Sequence, residues 1–292
     1  MTVLLRRLAI SVAILALLVG IGGVLLVYVG AYGIVGVRNQ GVAPATAEAG
    51  ERRVDVGPPA ATLSVLVDEP KQSAPRATIF VLHGIGDHKE DLQSWADRLT
   101  AAGYRAVLVD SRGHGRSTGQ WLTYGVQESR DLSRLIDALA IAGPIGVMGI
   151  SYGAATAIEW AGAEPRVKAA VAVAPFASLR EVVPLYVPHS VPVIGRFLPR
   201  WLIMRVIDRA GHVAGFDPDA ASPKDAATHT HAPLLLVHGD RDTNIPLWNS
   251  ALIVAHAPTA RLVTLHGEDH NRIGDDARLF PLALDFFAGV FK

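Results

Sequence analysis

One short stretch constrains the fold of this chain more than any other. Residues 145–150 form an apolar run, Ser151 follows between Gly149 and Gly153, and residues 154–163 are rich in helix formers. The pattern predicts a buried strand, a sharp turn at Ser151 and a helix, because the two glycines let strand and helix approach closely. The hydroxyl would then stand above the strand, at the positive end of the helix dipole. A nucleophilic serine is one interpretation. A glycine-rich turn that only packs a helix on a sheet is the other.

The rest of the chain alternates apolar runs with segments of helical spacing. Strands are predicted at 62–67 (an edge strand), 78–82, 105–109, 145–150, 167–173, 234–238 and 261–265, and helices at 92–102, 129–141, 154–163 and 278–291. This alternation predicts an α/β fold with a mainly parallel sheet and helices on both faces. Residues 176–230 carry no clear strand and several prolines. We expect them to form a helical lid inserted over the site, with a plain irregular connection as the alternative.

The N-terminal part of the chain is of a different kind. Residues 8–37 contain no charged side chain and exceed the roughly 20 residues that a helix needs to cross a bilayer. The run is too long for the usual signal peptide, so an uncleaved anchor is favoured over cleavage. Arg6 and Arg7 precede it and Arg38 follows, which favours a cytoplasmic N-terminus and a catalytic domain outside the cytoplasm. The expected organisation is an anchor over 1–38, a tether over 39–61 and one globular domain over 62–292.

Composition argues against several classes of function. The chain has 27 basic and 27 acidic residues and no long basic run, so no nucleic-acid partner is expected. It contains no cysteine, which excludes disulfides and thiolate chemistry. No phosphate-cradling glycine loop is present, and His229 and His231 have no third ligand at a suitable spacing. Neither a cofactor nor a metal is therefore expected.

Polar motifs follow the predicted strands at their carboxyl ends, where ligands bind in open α/β sheets. These motifs are His83-Gly84, the segment from Asp110 to Gly115, the turn at Ser151, the segment from His238 to Asp242, and Glu268-Asp269-His270.

With these five motifs in this order, the chain resembles the α/β-hydrolase superfamily over about residues 63–291. It is similar to monoacylglycerol-lipase and serine-aminopeptidase-like hydrolases and to membrane-anchored hydrolases of this superfamily. The order of the triad in that fold is serine, acid, histidine. The resemblance implies that Ser151 is the nucleophile, that Asp242 orients the base and that His270 is the base. Asp240 remains the alternative acid, and His266, assigned to the last strand, the alternative base.

The resemblance also implies an oxyanion hole made of backbone N–H groups. Tyr152, directly after the nucleophile, would supply one donor, and Ile85, after His83-Gly84, would supply the other. His83 is expected to brace this loop without reacting, and His114 to have a structural role in its turn.

The function expected from these features is a membrane-anchored serine hydrolase. It would cleave a carboxylic ester, with lipid esters and thioesters included, through an acyl-enzyme on Ser151. An acyltransferase or a serine peptidase on the same fold is an alternative, and a non-catalytic binding protein is another. The oligomeric state is not indicated.

Overall fold

The computed structural model describes residues 3–39, 50–71, 74–191 and 193–292. The strands in this part of the chain are β1 (Glu51–Val56), β2 (Ala61–Asp68), β3 (Thr78–Leu82), β4 (Arg105–Val109), β5 (Ile145–Ile150), β6 (Val167–Val173), β7 (Leu234–Gly239) and β8 (Ala260–Leu265). The α-helices are α1 (Val3–Val35), α2 (Gln93–Ala101), α3 (Val126–Ala138), α4 (Tyr152–Ala163), α5 (Leu179–Ser190), α6 (Arg200–Ala214), α7 (Pro223–Ala226), α8 (Trp248–His256) and α9 (Leu279–Val290).

The strands form one mainly parallel sheet, as the sequence predicts. Their order is β1-β2-β4-β3-β5-β6-β7-β8. Only the β1–β2 and β2–β4 pairs are antiparallel among these neighbours. Leu82 at the end of β3 lies beside Gly149 near the end of β5, so the loops that follow these two central strands leave the sheet side by side.

Helices cover both faces of the sheet, which explains why its central strands are largely apolar. In β3, Phe80 and Leu82 enter one core cluster, with side chains of α3, α4 and α8. Ile79 and Val81 point to the opposite face and enter a second cluster, with side chains of α2 and α9. Because successive side chains of a strand alternate between faces, a strand covered on both sides must be apolar at every position.

The sheet begins earlier in the chain than predicted. We expected residues 39–61 to be a tether and β2 to be an edge strand, but β1 pairs antiparallel with β2 and takes the edge. The sequence did not predict this strand because the strand is polar. Its polar side chains are paired within the fold: Glu51 accepts a hydrogen bond from Ser64, and Asp55 accepts one from Thr62. Residues 40–49 of the expected tether lie outside the described residues.

Helix α3 also differs from its expected bounds, 129–141. It begins at Val126 because the Glu128 carboxylate accepts hydrogen bonds from the backbone N–H groups of Thr123 and Gly125, which lie before the first turn. It ends at Ala138, and Ala140 has a φ of +50°, which takes the chain out of the helix.

Between β6 and β7 the chain forms the predicted helical stretch, with α5, α6 and α7 and, in its described residues, no strand. Helix α1 packs against α6 through its C-terminal part only. Ala31 and Val35 are buried against Ala210, whereas most of the helix from Leu5 to Leu25 is exposed. Its segment Leu5–Val35 is long and apolar enough to cross a membrane.

Candidate active site

Ser151 occupies a strained turn between β5 and α4. Its φ is +53° and its ψ is −112°, a backbone conformation that non-glycine residues rarely adopt. The two flanking positions require glycine because other backbone atoms approach them closely. A Cβ on Gly149 would lie 2.3 Å from the carbonyl oxygen of Gly153, and a Cβ on Gly153 would lie 2.4 Å from that of Leu82. The turn therefore fixes Ser151 at the carboxyl end of the central strands.

Three loops that are distant in sequence bring Ser151, His270 and Asp242 into one hydrogen-bonded chain. The Nε2 atom of His270 lies 3.0 Å from Ser151 Oγ, and its Nδ1 atom lies 2.6 Å from Asp242 Oδ2. In the tautomer that satisfies both contacts, the serine hydroxyl donates to Nε2 and Nδ1–H donates to the carboxylate. All three side chains are largely shielded from solvent.

The surroundings of Asp242 hold its carboxylate in the ionised form. Its Oδ1 atom accepts the backbone N–H groups of Asn244 and Ile245 at 3.0 and 2.8 Å. Burial would raise its pKa, but hydrogen bonds from His238 and His270 and the N–H of Ile245 outweigh burial and lower the pKa to about 2. Asp242 is therefore charged at neutral pH and can stabilise a protonated His270.

His238 is a supporting residue whose role the sequence did not reveal. Its Nε2 atom lies 3.4 Å from Asp242 Oδ2 and 2.7 Å from the carbonyl oxygen of Ile245, and its Nδ1 atom lies 2.7 Å from Ser250 Oγ. The position of His238 at the end of β7 was visible, but its contacts depend on the turn that follows.

The alternative acid, Asp240, and the alternative base, His266, contact each other instead of Ser151. Asp240 Oδ2 lies 2.9 Å from His266 Nδ1, and Asp240 Oδ1 accepts the backbone N–H of Gly267. The His266 side chain is 85% exposed. Contrary to expectation, His266 follows the last strand instead of belonging to it, because β8 ends at Leu265.

The two expected oxyanion donors belong to segments that adjoin the serine. Tyr152 is the first residue of α4, and Ile85 lines the same cavity as Ser151. A Cβ on Gly84 would lie 3.8 Å from the Cβ of Ser151, so the backbone before Ile85 passes close to this serine. A donor role for these two N–H groups stays a prediction.

His83 braces this loop from below. Its Nδ1 atom donates to the carbonyl oxygen of Gly84 at 2.7 Å, and its Nε2 atom accepts the backbone N–H of Ser111 at 3.0 Å. Burial lowers its pKa, which favours the neutral ring with one donor and one acceptor that these contacts require. The ring of His114 packs 4.9 Å from that of His83. His114 donates from Nδ1 to the carbonyl oxygen of Arg112.

A cavity of about 420 Å³ opens beside Ser151. Apolar side chains of α1, α5 and α6 line most of it, together with Ile85, Tyr124, Tyr152, Phe176 and Ile245. Among the described residues in this lining, Arg38 is the only charged one. The described residues contain no cluster of three or more side chains that could hold a metal ion.

Comparison with known proteins identifies the family of the chain. Residues 73–222 match the family model described as serine aminopeptidase, S33. The chain belongs to this family. Its fold is that of the α/β-hydrolase superfamily. The S33 match includes Ser151 and the loop with Ile85 but ends before Asp242 and His270.

Two curated relatives show which proteins this S33 member is similar to. It is 26% identical over 219 residues to a monoacylglycerol lipase of Mycolicibacterium smegmatis, a match that covers 62% of this chain and 75% of the lipase. It is also 26% identical over 200 residues to the uncharacterized protein YqkD of Bacillus subtilis. That match covers 65% of this chain and 64% of YqkD, so the chain spans just under two thirds of the length of that relative.

Solved structures share the fold at low sequence identity. The esterase Pf2001 of Pyrococcus furiosus superposes with a TM-score of 0.65 at 19% identity, covering 83% of this chain and 93% of the esterase. A hydrolase from Pseudomonas aeruginosa superposes with a TM-score of 0.60 at 20% identity, covering 81% and 98% of the two chains. The chain is thus similar to hydrolases of the esterase and lipase type.

Proposed function

We propose that this protein is a membrane-anchored serine hydrolase that cleaves a carboxylic ester through an acyl-enzyme on Ser151. The observation that supports the proposal most directly is the hydrogen-bond chain from Ser151 Oγ through His270 to Asp242, at 3.0 and 2.6 Å. A serine hydroxyl is a weak nucleophile until a base removes its proton, and this chain supplies both the base and the group that orients it.

In the first half of the reaction, Ser151 Oγ attacks the ester carbonyl while its proton passes to Nε2 of His270. Asp242 stays ionised and stabilises the imidazolium that forms. The tetrahedral intermediate then collapses, the carbon–oxygen bond to the alcohol breaks, and His270 returns the proton to the leaving oxygen. The product of this half is an alcohol and an acyl group esterified to Ser151.

In the second half, water replaces the alcohol. His270 takes a proton from the water as its oxygen attacks the acyl carbonyl, and the proton then returns to Ser151 Oγ as the acid leaves. In both halves the negative charge on the former carbonyl oxygen would be stabilised by the backbone N–H groups of Ile85 and Tyr152.

The cavity lining favours an ester over the peptide that the family description suggests. An aminopeptidase must bind the positive α-amino group of its substrate, for which a carboxylate is the natural partner. In the described lining of the cavity, the single charged side chain is Arg38, which is itself positive. The apolar remainder suits an acyl chain.

The anchor in this proposal is α1. Its exposed segment from Leu5 to Leu25 is uncharged apart from Arg6 and Arg7 at its start, and the same helix continues into the contact with α6. Exposed apolar side chains over such a length are stable in a bilayer and not in water. The anchor thus holds the catalytic domain at the membrane surface.

Labelling by a fluorophosphonate tests the nucleophile. The reagent phosphonylates an activated serine with loss of fluoride. Wild-type protein should be labelled and should hydrolyse p-nitrophenyl esters, and Ser151→Ala should lose both reactions. Ser94→Ala, which changes an exposed serine in α2, is the matched control and should behave as the wild type. Labelling that persists in Ser151→Ala would refute the assignment.

The apolar cavity also makes acyl transfer a candidate, since an acceptor alcohol bound there would compete with water for the acyl-enzyme. Product analysis with added alcohols separates the two reactions, because transfer yields a new ester in place of the free acid. A wild-type protein that shows neither labelling nor turnover would instead favour a non-catalytic binding protein.

A further inference from the structure

The cavity beside Ser151 has the apolar helix α1 as one of its walls. Five residues of α1 take part in the lining, namely Leu26, Val29, Gly30, Gly33 and Ile34. Their spacing places them on one face of the helix. The facing wall is formed by α5 and α6, with Val187, Leu202 and Val206 among its residues. A helix that served only as a tether would not need to form a wall of the site.

The length of α1 shows where this wall lies relative to a membrane. The 31 residues of Leu5–Val35 extend about 46 Å at 1.5 Å per residue. The hydrocarbon core of a bilayer is about 30 Å thick, which is about 20 residues of helix, so a span that starts after Arg7 ends near residue 27 and leaves about eight residues of the helix beyond it. The cavity-lining residues from Val29 to Ile34 fall within this remaining part, and Leu26 lies at its edge. The cavity therefore opens at the level where the helix leaves the bilayer.

A second observation, the direction of α6, places the N-terminal end of that helix closer to the membrane than its C-terminal end. Helices α1 and α6 run in the same direction, because Gly30 lies against Val206, and Ala31 and Val35, which follow on α1, share a buried cluster with Ala210, which follows on α6. The N-terminal end of α6 thus points toward the membrane-spanning part of α1. The connection before α6 and the first turn of that helix carry an apolar tip, made of Val193, Ile194, Phe197 and Trp201. These four side chains are between 61% and 73% exposed. An apolar surface of this kind is stable when it lies in lipid.

We infer that α1 is part of the acyl-binding site and that the substrate is an ester of a membrane lipid. The acyl chain of this lipid enters from the bilayer, between α1 and the apolar tip. This inference rests on the proposed function and names its substrate class. An acyl chain that moves from the bilayer to the cavity stays in apolar surroundings along α1, so its CH₂ groups do not have to pass through water. Loss of α1 by cleavage would remove one wall of the site.

Gly33 offers a variant that narrows the cavity without a clash. A Cβ at Gly33 meets no atom within 4 Å, although the residue lines the cavity, so a leucine side chain there would occupy the space assigned to the acyl chain. Gly20 also has nothing within 4 Å of a Cβ, but it lies in the exposed part of α1 and does not line the cavity. Gly20→Leu is therefore the matched control.

The first experiment measures hydrolysis by the full chain in phosphatidylcholine vesicles, with p-nitrophenyl esters of two and sixteen carbons. In Gly33→Leu the ratio of the long-chain to the short-chain rate should fall at least tenfold, and in Gly20→Leu it should equal that of the wild type. An unchanged ratio in Gly33→Leu would overturn the inference, and so would an equal fall in Gly20→Leu.

The second experiment uses the unaltered chain and so does not depend on how a variant folds. A fluorophosphonate with a long alkyl chain that ends in a diazirine is attached to Ser151 in vesicles, with fluoride leaving from phosphorus and the serine proton passing to His270. On irradiation the diazirine loses N₂, and the carbene inserts into a nearby bond. Cross-links should include the α1 peptide with residues 26–34, as mapped by mass spectrometry. Labelled protein with no cross-link in α1 overturns the inference, whereas protein that is not labelled at all contradicts the proposed function itself.

Discussion

At the scale of single residues, two neighbouring aspartates of the site differ in burial and in hydrogen-bond partners. Asp242 is buried, accepts two backbone N–H groups and contacts His270, whereas Asp240 contacts the exposed His266. The two carboxylates differ by two positions in sequence, yet only one can orient a base beside Ser151. Exchange of each for asparagine separates their roles.

Asp242→Asn should lower kcat for a short p-nitrophenyl ester by about 10³- to 10⁴-fold. The amide oxygen can still accept the N–H groups of Asn244 and Ile245, but the amide NH₂ would face Nδ1 of His270 and favour the tautomer that cannot accept the serine proton. Asp240→Asn is the matched control and should keep kcat within about threefold. A large loss in Asp240→Asn with activity retained in Asp242→Asn would exchange their roles.

The sequence was sufficient to nominate these residues but not to describe their surroundings. Ser151 and His270 could be proposed because each follows a predicted strand in the order that the resemblance implies. The contacts of His238 with Asp242, Ile245 and Ser250 could not, since they depend on the conformation of the loop between β7 and α8. The triad roles themselves stay predictions until the variants are measured.

At the scale of elements, the hydrophobic pattern predicted the buried strands but did not predict β1, at one edge of the sheet. β3 and β5 are apolar because both of their faces are covered. β1 is a polar edge strand whose side chains are satisfied by local partners, so neither apolar runs nor alternation marked it. Helix α8 was likewise not anticipated.

The orientation of α1 is a prediction at this scale. Arg6 and Arg7, in the first turns of the helix and before its uncharged run, favour a cytoplasmic N-terminus, which would place the catalytic domain on the outer side of the membrane. The chain has no cysteine, so a single introduced thiol reports its own location. Ala101→Cys, at the exposed end of α2, should react with a membrane-impermeant maleimide in intact cells, and the cysteine-free wild type should not. Reaction only after permeabilisation would place the domain in the cytoplasm.

At the scale of the whole molecule, the α/β architecture followed from the sequence, and the cavity did not. The alternation of strands and helices can be predicted from the sequence, because each strand and each helix is a continuous stretch of chain. The cavity is formed by α1, α5 and α6, which pack together only in the folded protein. Each of these helices is apolar on the face concerned, but apolarity alone does not distinguish a wall of a site from a membrane contact or a core.

The buried histidines predict how the whole fold responds to acid. Burial, together with the neighbouring His83, lowers the pKa of His114 from an ordinary value of 6.5 to about 3. Between these two values the unfolded chain binds a proton that the folded chain does not. Stability is therefore complete above about pH 6.5 and is lost progressively as the pH falls toward 3. For this single group, linkage gives a loss of about 2 kcal/mol between pH 7 and pH 4.5.

His114→Gln removes this titration and keeps an amide that can donate to the carbonyl oxygen of Arg112. Urea unfolding of the full chain in detergent, followed by tryptophan fluorescence at pH 7 and pH 4.5, should show a smaller difference between the two pH values in His114→Gln than in the wild type, by about 2 kcal/mol. His229→Gln, at an exposed histidine, should leave the difference unchanged. If His114→Gln also leaves it unchanged, acid sensitivity arises from other groups, and His83 is the next to test because its pKa is lowered by the same burial.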